Sequence, residues 1–126
     1  LRQTWPMNQP PTPSDLTGRL IAFRDERDWK KIHSLKNLLL SLSLEAAELL
    51  ELAQWQTDEE LEARLSDPQI QDRLREECAD IFLYLLLIAE RCGFDLCAAG
   101  AAKILRNAAK YPVEKSRGTA KKYTEL

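Results

Sequence analysis

The sequence predicts an all-α fold: an antiparallel bundle of four main helices, assembled as an oligomer. From Arg19 to Cys92 the chain contains no glycine and one proline, Pro68, so it offers strong helix formers and almost no turn chemistry. Apolar residues recur there at intervals of three and four, and no stretch alternates apolar with polar residues as a half-buried strand does. The run from Ile81 to Ala89, IFLYLLLIA, is apolar on nearly every side of its helix. A domain of this size covers one face of such a helix, and a partner subunit is expected over the other.

Four prolines among the first thirteen residues make 1–13 an extended N-terminal arm. Ser14 is a candidate N-cap for a first helix running through Leu16, Leu20, Ile21 and Phe23 toward Asp28 and Trp29, with a break around Ile32 to Ser34. A second helix is expected from Ser34 to Trp55. Thr57-Asp58-Glu59-Glu60 reads as a capping box opening a short helix, and Asp67-Pro68 as an N-cap followed by proline at the first helical position. The third long helix then runs to Cys92, where Gly93 stops it, and a last helix spans Asp95 to Ala109 and ends before Tyr111-Pro112. The domain proper is thus 14–112, and 113–126 is expected to be an irregular, basic C-terminal tail.

With 44% hydrophobic and 30% charged residues over 126 positions, the chain has the balance of one ordinary globular domain. Its longest apolar run, nine residues, is far short of the roughly twenty that a membrane span needs, so no membrane partner is expected. The N-terminal LRQTWPMNQPPTP lacks the basic start and apolar run of a secretory signal, and a cytoplasmic location is expected. Cys78, Cys92 and Cys97 form no C-x-x-C and read as free thiols. Charge is divided unevenly: residues 1–102 carry 11 Lys+Arg against 18 Asp+Glu, and residues 103–126 carry 7 against 2. A basic tail on an acidic body suits a metal with a small phosphorylated ligand, and does not suit a nucleic-acid polymer.

The informative anomaly is where acids fall. Positions 38, 42, 45, 49 and 52 follow one helical seam and read Leu, Leu, Glu, Leu, Leu; positions 74, 77, 81, 84 and 88 read Leu, Glu, Ile, Tyr, Ile. Glu45 and Glu77 therefore occupy apolar seams, and each has a second acid three residues on, Glu48 and Asp80, sharing its face. Four carboxylates gathered in a partly buried place repel one another until protons or cations intervene. With oxygen ligands alone the fitting ion is hard, Mg²⁺ with Mn²⁺ as a substitute. A di-iron carboxylate bundle would need Glu-x-x-His, and neither Glu48 nor Asp80 is histidine. A Ser/His/Asp or Cys/His nucleophilic site has no support around the lone His33, and no glycine-rich phosphate loop is present. The bland alternative is a helical interaction module whose acids only shape an oligomer interface.

LEAAELLELAQW (Leu44 to Trp55) and EECADIFLY (Glu76 to Tyr84) resemble the E-x-x-E … E-x-x-D signature of the all-α NTP pyrophosphohydrolases, the MazG-like superfamily. Arg27-Asp28-Trp29, the H-x-x-x-N of His33 and Asn37, Gln54-Trp55, Tyr111-Pro112 and the closing KYTEL resemble its dCTP pyrophosphatase branch. The resemblance spans about 16–126. It implies a bundle assembled as a homodimer or homotetramer, with Mg²⁺ on Glu45, Glu48, Glu77 and Asp80. It also implies cleavage of a nucleoside triphosphate between the α- and β-phosphorus, giving monophosphate and pyrophosphate, with dCTP or a modified dCTP as substrate. By the same resemblance Trp29 and Trp55 wall the base, with Tyr84, His33 and Asn37 beside the nucleotide. Lys103, Asn107, Lys110 and Tyr111 are then expected near triphosphate or sugar. The cytosine-preferring relatives carry a histidine in the first helix where this chain is apolar, around Leu20, which leaves dCTP, 5-methyl-dCTP and a broader set of non-standard dNTPs open; a dUTP- or phosphoribosyl-ATP-type pyrophosphohydrolase on the same scaffold is the enzymatic alternative.

Overall fold

The computed structural model describes residues 8–126, which are helical and contain no strand among the described residues. Of the expected N-terminal arm, residues 1–7 lie outside that range. The chain divides into two compact units, Leu1–Gly93 and Phe94–Leu126.

In the first unit α1 spans Pro13–Glu26, opening two residues earlier than Ser14 would cap it. Thr12 is the N-cap: its hydroxyl accepts from the Asp15 N–H at 3.1 Å while the Asp15 carboxylate accepts from the Thr12 N–H at 2.9 Å, with Pro13 at the first helical position. This reciprocal box satisfies two orphan donors, which Ser14 could not match because the residue three beyond it is Thr17 and not an acid. At the other end the helix stops at Glu26 rather than reaching Trp29. Asp28 turns the chain with φ 54°, a value an aspartate tolerates, and the Trp29 N–H reaches back to the Arg24 carbonyl at 3.0 Å.

Ser34 caps α2, Leu35–Glu51, by accepting from the Asn37 N–H at 3.2 Å. The helix is shorter than its apolar spacing predicts, because Leu52 to Gln56 pass through turns and Trp55 adopts φ 66°. Thr57 caps α3, Asp58–Glu62, with the expected box to Glu60. Asp67 then caps α4, Pro68–Cys92, and Gly93 closes it at φ 75°, a left-handed value that glycine adopts without a Cβ penalty.

α1 and α2 both pack on α4. Leu38 and Leu52 from the α2 side and Ile70, Leu86, Leu87 and Ala89 of α4 are buried in their interior. The predicted seams hold: Leu42, Glu45 and Leu49 on α2, and Leu74, Glu77, Ile81, Tyr84 and Ile88 on α4, are all better covered than the exposed residues flanking Glu45 and Glu77. Much of α2 is nonetheless bare, with Leu44 at 66% and Leu50 at 70% exposure. An unaided protomer leaves such a stripe in water, at a cost of roughly 25 cal/mol per Å².

The second unit holds α5, Leu96–Lys110, capped by Asp95 accepting from the Ala98 N–H at 2.7 Å. The segment expected to be irregular is partly ordered: α6 spans Val113–Ser116 and a 3₁₀ turn spans Tyr123–Glu125. Tyr123 stacks edge-on against Tyr111 at 6.2 Å, with the Lys110 ammonium 4.8 Å from its ring centre, so aromatic and cation–π contacts fold the tail against the end of α5. The described Cys78, Cys92 and Cys97 are free. Among the described residues no helix is long and apolar enough to cross a membrane.

Candidate active site

Glu45 and Glu48 stand three residues apart on α2, and Glu77 projects from α4, which packs against it. One carboxylate oxygen from each of the three lies within 4.8 Å of the other two. Glu45 and Glu77 are half-buried, and each keeps its Oε2 shielded from solvent with no hydrogen-bond partner. None of the ion pairs among the described residues involves these acids. Burial raises the Glu45 pKa to about 7, with the charges of Glu48, Asp80 and Glu77 pushing the same way. A lone proton is a poor remedy for three converging carboxylates; a divalent cation satisfies the orphaned oxygens and the charge together.

Asp80, the fourth predicted acid, stands outside that trio. It is exposed on the next turn of α4, raises the Glu45 pKa by its charge, and lines a cavity of about 180 Å³ together with Glu45. Trp29, His33 and Tyr84 line the same cavity, so three of the residues expected beside a nucleotide do meet two of the acids. The turn after α1 makes this possible by bringing Trp29 edge-on to Phe23 at 5.8 Å and to within 6.2 Å of His33. His33 is held toward its neutral form by burial and by the nearby Arg24 charge, and its Nδ1 has no partner. Asn37 lines an adjoining cavity with Trp29, His33 and Tyr84, its amide fixed by donation to the Ile32 carbonyl at 2.9 Å.

The remaining expected residues stand elsewhere in the chain. Trp55 is 91% exposed in the turn beyond α2 and is not among the lining side chains. Lys103, Asn107, Lys110 and Tyr111 belong to the C-terminal unit, all exposed, with Lys110 and Tyr111 held by Tyr123 and the Asn107 carbonyl accepting from the Tyr111 N–H at 2.8 Å. Leu20 does line the cavity, as its place on α1 suggests. Arg24, one turn after it, was not legible as a site residue. Sequence shows it as one charge in RDER, yet it is 5% exposed and lines the cavity. Its position four residues beyond Leu20 is the one signal that shared the apolar face.

A family model described as the MazG-like family matches residues 40–126. The dCTP pyrophosphatase 1 of Bos taurus is 44% identical over 116 residues, covering 92% of this chain and 69% of the relative. The human dCTP pyrophosphatase 1 is 40% identical over the same length, covering 92% and 68%. A crystal structure of a pyrophosphatase from Archaeoglobus fulgidus superimposes with a TM-score of 0.71 at 39% identity, covering 79% of this chain and 91% of that one.

Proposed function

The chain belongs to the MazG-like family, and from that premise we propose that it is a Mg²⁺-dependent nucleoside triphosphate pyrophosphohydrolase that takes dCTP or a modified dCTP to the monophosphate and pyrophosphate. The observation that carries the metal-dependent part is the convergence of Glu45, Glu48 and Glu77 with two buried, unpartnered oxygens. The relatives named dCTP pyrophosphatase support the substrate.

The donor set fits a hard divalent ion, since every candidate ligand is a carboxylate oxygen. Glu45, Glu48 and Glu77 would hold it, with Asp80 one turn away to complete the set. Bound there, such an ion supplies positive charge against phosphate oxygens and makes a nearby water a better nucleophile. The remaining work falls to the chain. A carboxylate oxygen of the cluster that the ion leaves free accepts the proton of the attacking water. Trp29 and Tyr84 offer ring faces on which a flat base stacks, each for about 1 to 3 kcal/mol. His33, held toward its neutral form, lines the same cavity and would place its ring beside the substrate. The resemblance adds Trp55, Lys103, Asn107, Lys110 and Tyr111 as further substrate-binding candidates.

The bare stripe of α2 supports a homo-oligomer, a dimer or tetramer, in which a second copy covers Leu44 and Leu50. The activity is tested with a panel of dNTPs and NTPs, including 5-methyl-dCTP and dUTP, incubated with Mg²⁺ and resolved by phosphorus NMR. Expected are a deoxycytidine monophosphate and pyrophosphate as first products, lost on chelation. Release of orthophosphate and a diphosphate, or turnover that ignores chelation, overturns the proposal.

A further inference from the structure

We propose that Arg24 is the residue by which this cavity reads its base, donating N–H groups to the adjacent O2 and N3 acceptors of cytosine. This rests on the reading above, that the cavity takes a nucleotide. Among the described residues Arg24 is the one charged side chain that is buried. A guanidinium keeps its charge in any protein environment, and removing it from water costs several kcal/mol unless its surroundings compensate.

Compensation comes from two carboxylates. The Arg24 Nε donates to Asp25 Oδ1 at 2.9 Å, and Nη1 donates to Glu90 Oε2 at 3.3 Å, tying α1 to α4. Those bonds leave one hydrogen on Nη1 and both on Nη2 without a partner among the described residues, on a side chain that lines the cavity. The open donors belong to a side chain that lines the same space as Trp29, His33 and Tyr84.

Charge decides what they can take. One cation beside two carboxylates makes a cluster of net negative charge, which is a poor clamp for a triphosphate; the phosphates belong with the cation at Glu45, Glu48 and Glu77. The acceptors that suit Arg24 are neutral, such as a carbonyl oxygen or a ring nitrogen. Cytosine places two of these side by side at O2 and N3, matching the fork of a guanidinium. Uracil and thymine carry an N–H at position 3, which faces the same fork donor to donor. Arg24 so placed separates cytosine from uracil, and Leu20 one turn earlier closes that part of the cavity with an apolar wall.

The test uses wild type and two variants in the full chain. Arg24→Lys keeps the charge beside Asp25 and Glu90 but loses the fork; Arg24→Met with Glu90→Gln removes both sides of the α1–α4 tie, so no buried charge is stranded. Binding of dCMP and dUMP is followed by tryptophan fluorescence, and kcat/KM is measured for dCTP and dUTP. The expected result is that both variants remain helical by circular dichroism while the cytosine-to-uracil preference falls about 10- to 100-fold, chiefly through weaker cytosine binding. A preference that stays unchanged, whether both nucleotides weaken together or neither does, makes Arg24 a packing residue and overturns the proposal. Loss of preference in binding without any hydrolysis in wild type would sustain the role of Arg24 while removing the pyrophosphohydrolase reading.

Discussion

Glu45 on α2 and Glu77 on α4 bring carboxylate oxygens within 4.8 Å of each other, and each buries an Oε2 that no donor reaches. Two acids on separate helices, both set in otherwise apolar seams, face each other with only repulsion between them. An arrangement of this kind lowers the stability of the metal-free fold, and a bound cation restores it.

Neutralising one partner should therefore stabilise the empty site while destroying its use. Glu77→Gln is expected to raise the melting temperature of chelator-treated protein by a few degrees, corresponding to about 1 kcal/mol. Its hydrolytic rate should fall by about 100-fold or more. A variant that melts lower than wild type without metal would show that the carboxylates are not in conflict.

The same conflict has a pH signature. The Glu45 carboxyl has a folded pKa of about 7 against 4.5 for the unperturbed group, so between those values the folded state holds a proton that the unfolded state has released. Stability contributed by this group is present at low pH and is lost as pH rises from about 4.5 through about 7. Chelator-treated wild type should lose melting temperature across that window more steeply than Glu45→Gln. Divalent binding should tighten over the same range, because cation and proton compete for one carboxylate. Parallel melting curves for the two proteins at pH 5 and pH 8 would remove Glu45 as the titrating group.

Trp55 sits at φ 66° with its ring 91% exposed, an unfavourable backbone for a large side chain with little packing in return. Trp55→Gly is expected to stabilise the protein by about 1 kcal/mol and to raise KM for the nucleotide if the exposed ring serves as a base wall. Thermal melts and steady-state kinetics report the two effects separately. An unchanged KM would leave Trp55 without a part in substrate binding.

Leu44 and Leu50 give the prediction on assembly. Light scattering should report a mass at least twice the 14.5 kDa of one chain, and Leu44→Glu should reduce it toward that value. A monomeric wild type would mean that the bare stripe of α2 is tolerated without a partner.

Sequence was most legible where a helix end has its own chemistry. Thr57 with Glu60, Asp67 before Pro68, and Gly93 all mark boundaries that the structure keeps, because each satisfies orphan backbone groups by a local device. α2 ends at Glu51 with no capping residue to mark it, while Leu52 continues the apolar spacing, and so the helix reads longer than it is. The seams of α2 and α4 made Glu45 and Glu77 conspicuous from spacing alone, since an acid amid leucines is visible in one dimension. Arg24 was hidden for the opposite reason: it lies among other charges, and its partner Glu90 is 66 residues away, a distance that no local pattern spans. The turn at Asp28 that brings Trp29 back toward Phe23 and His33 was equally silent, because it depends on a single left-handed backbone angle.

Titrating Mn²⁺ into the protein and following free ion by electron paramagnetic resonance tests whether the carboxylates of α2 and α4 form a divalent cation site. Wild type and a Glu45→Gln/Glu77→Gln double variant of unchanged circular dichroism should be compared at pH 8. Wild type should deplete the free Mn²⁺ signal, Mg²⁺ should restore it by competition, and the double variant should leave it undiminished. Equal depletion by both proteins would mean that Glu45 and Glu77 hold no such ion.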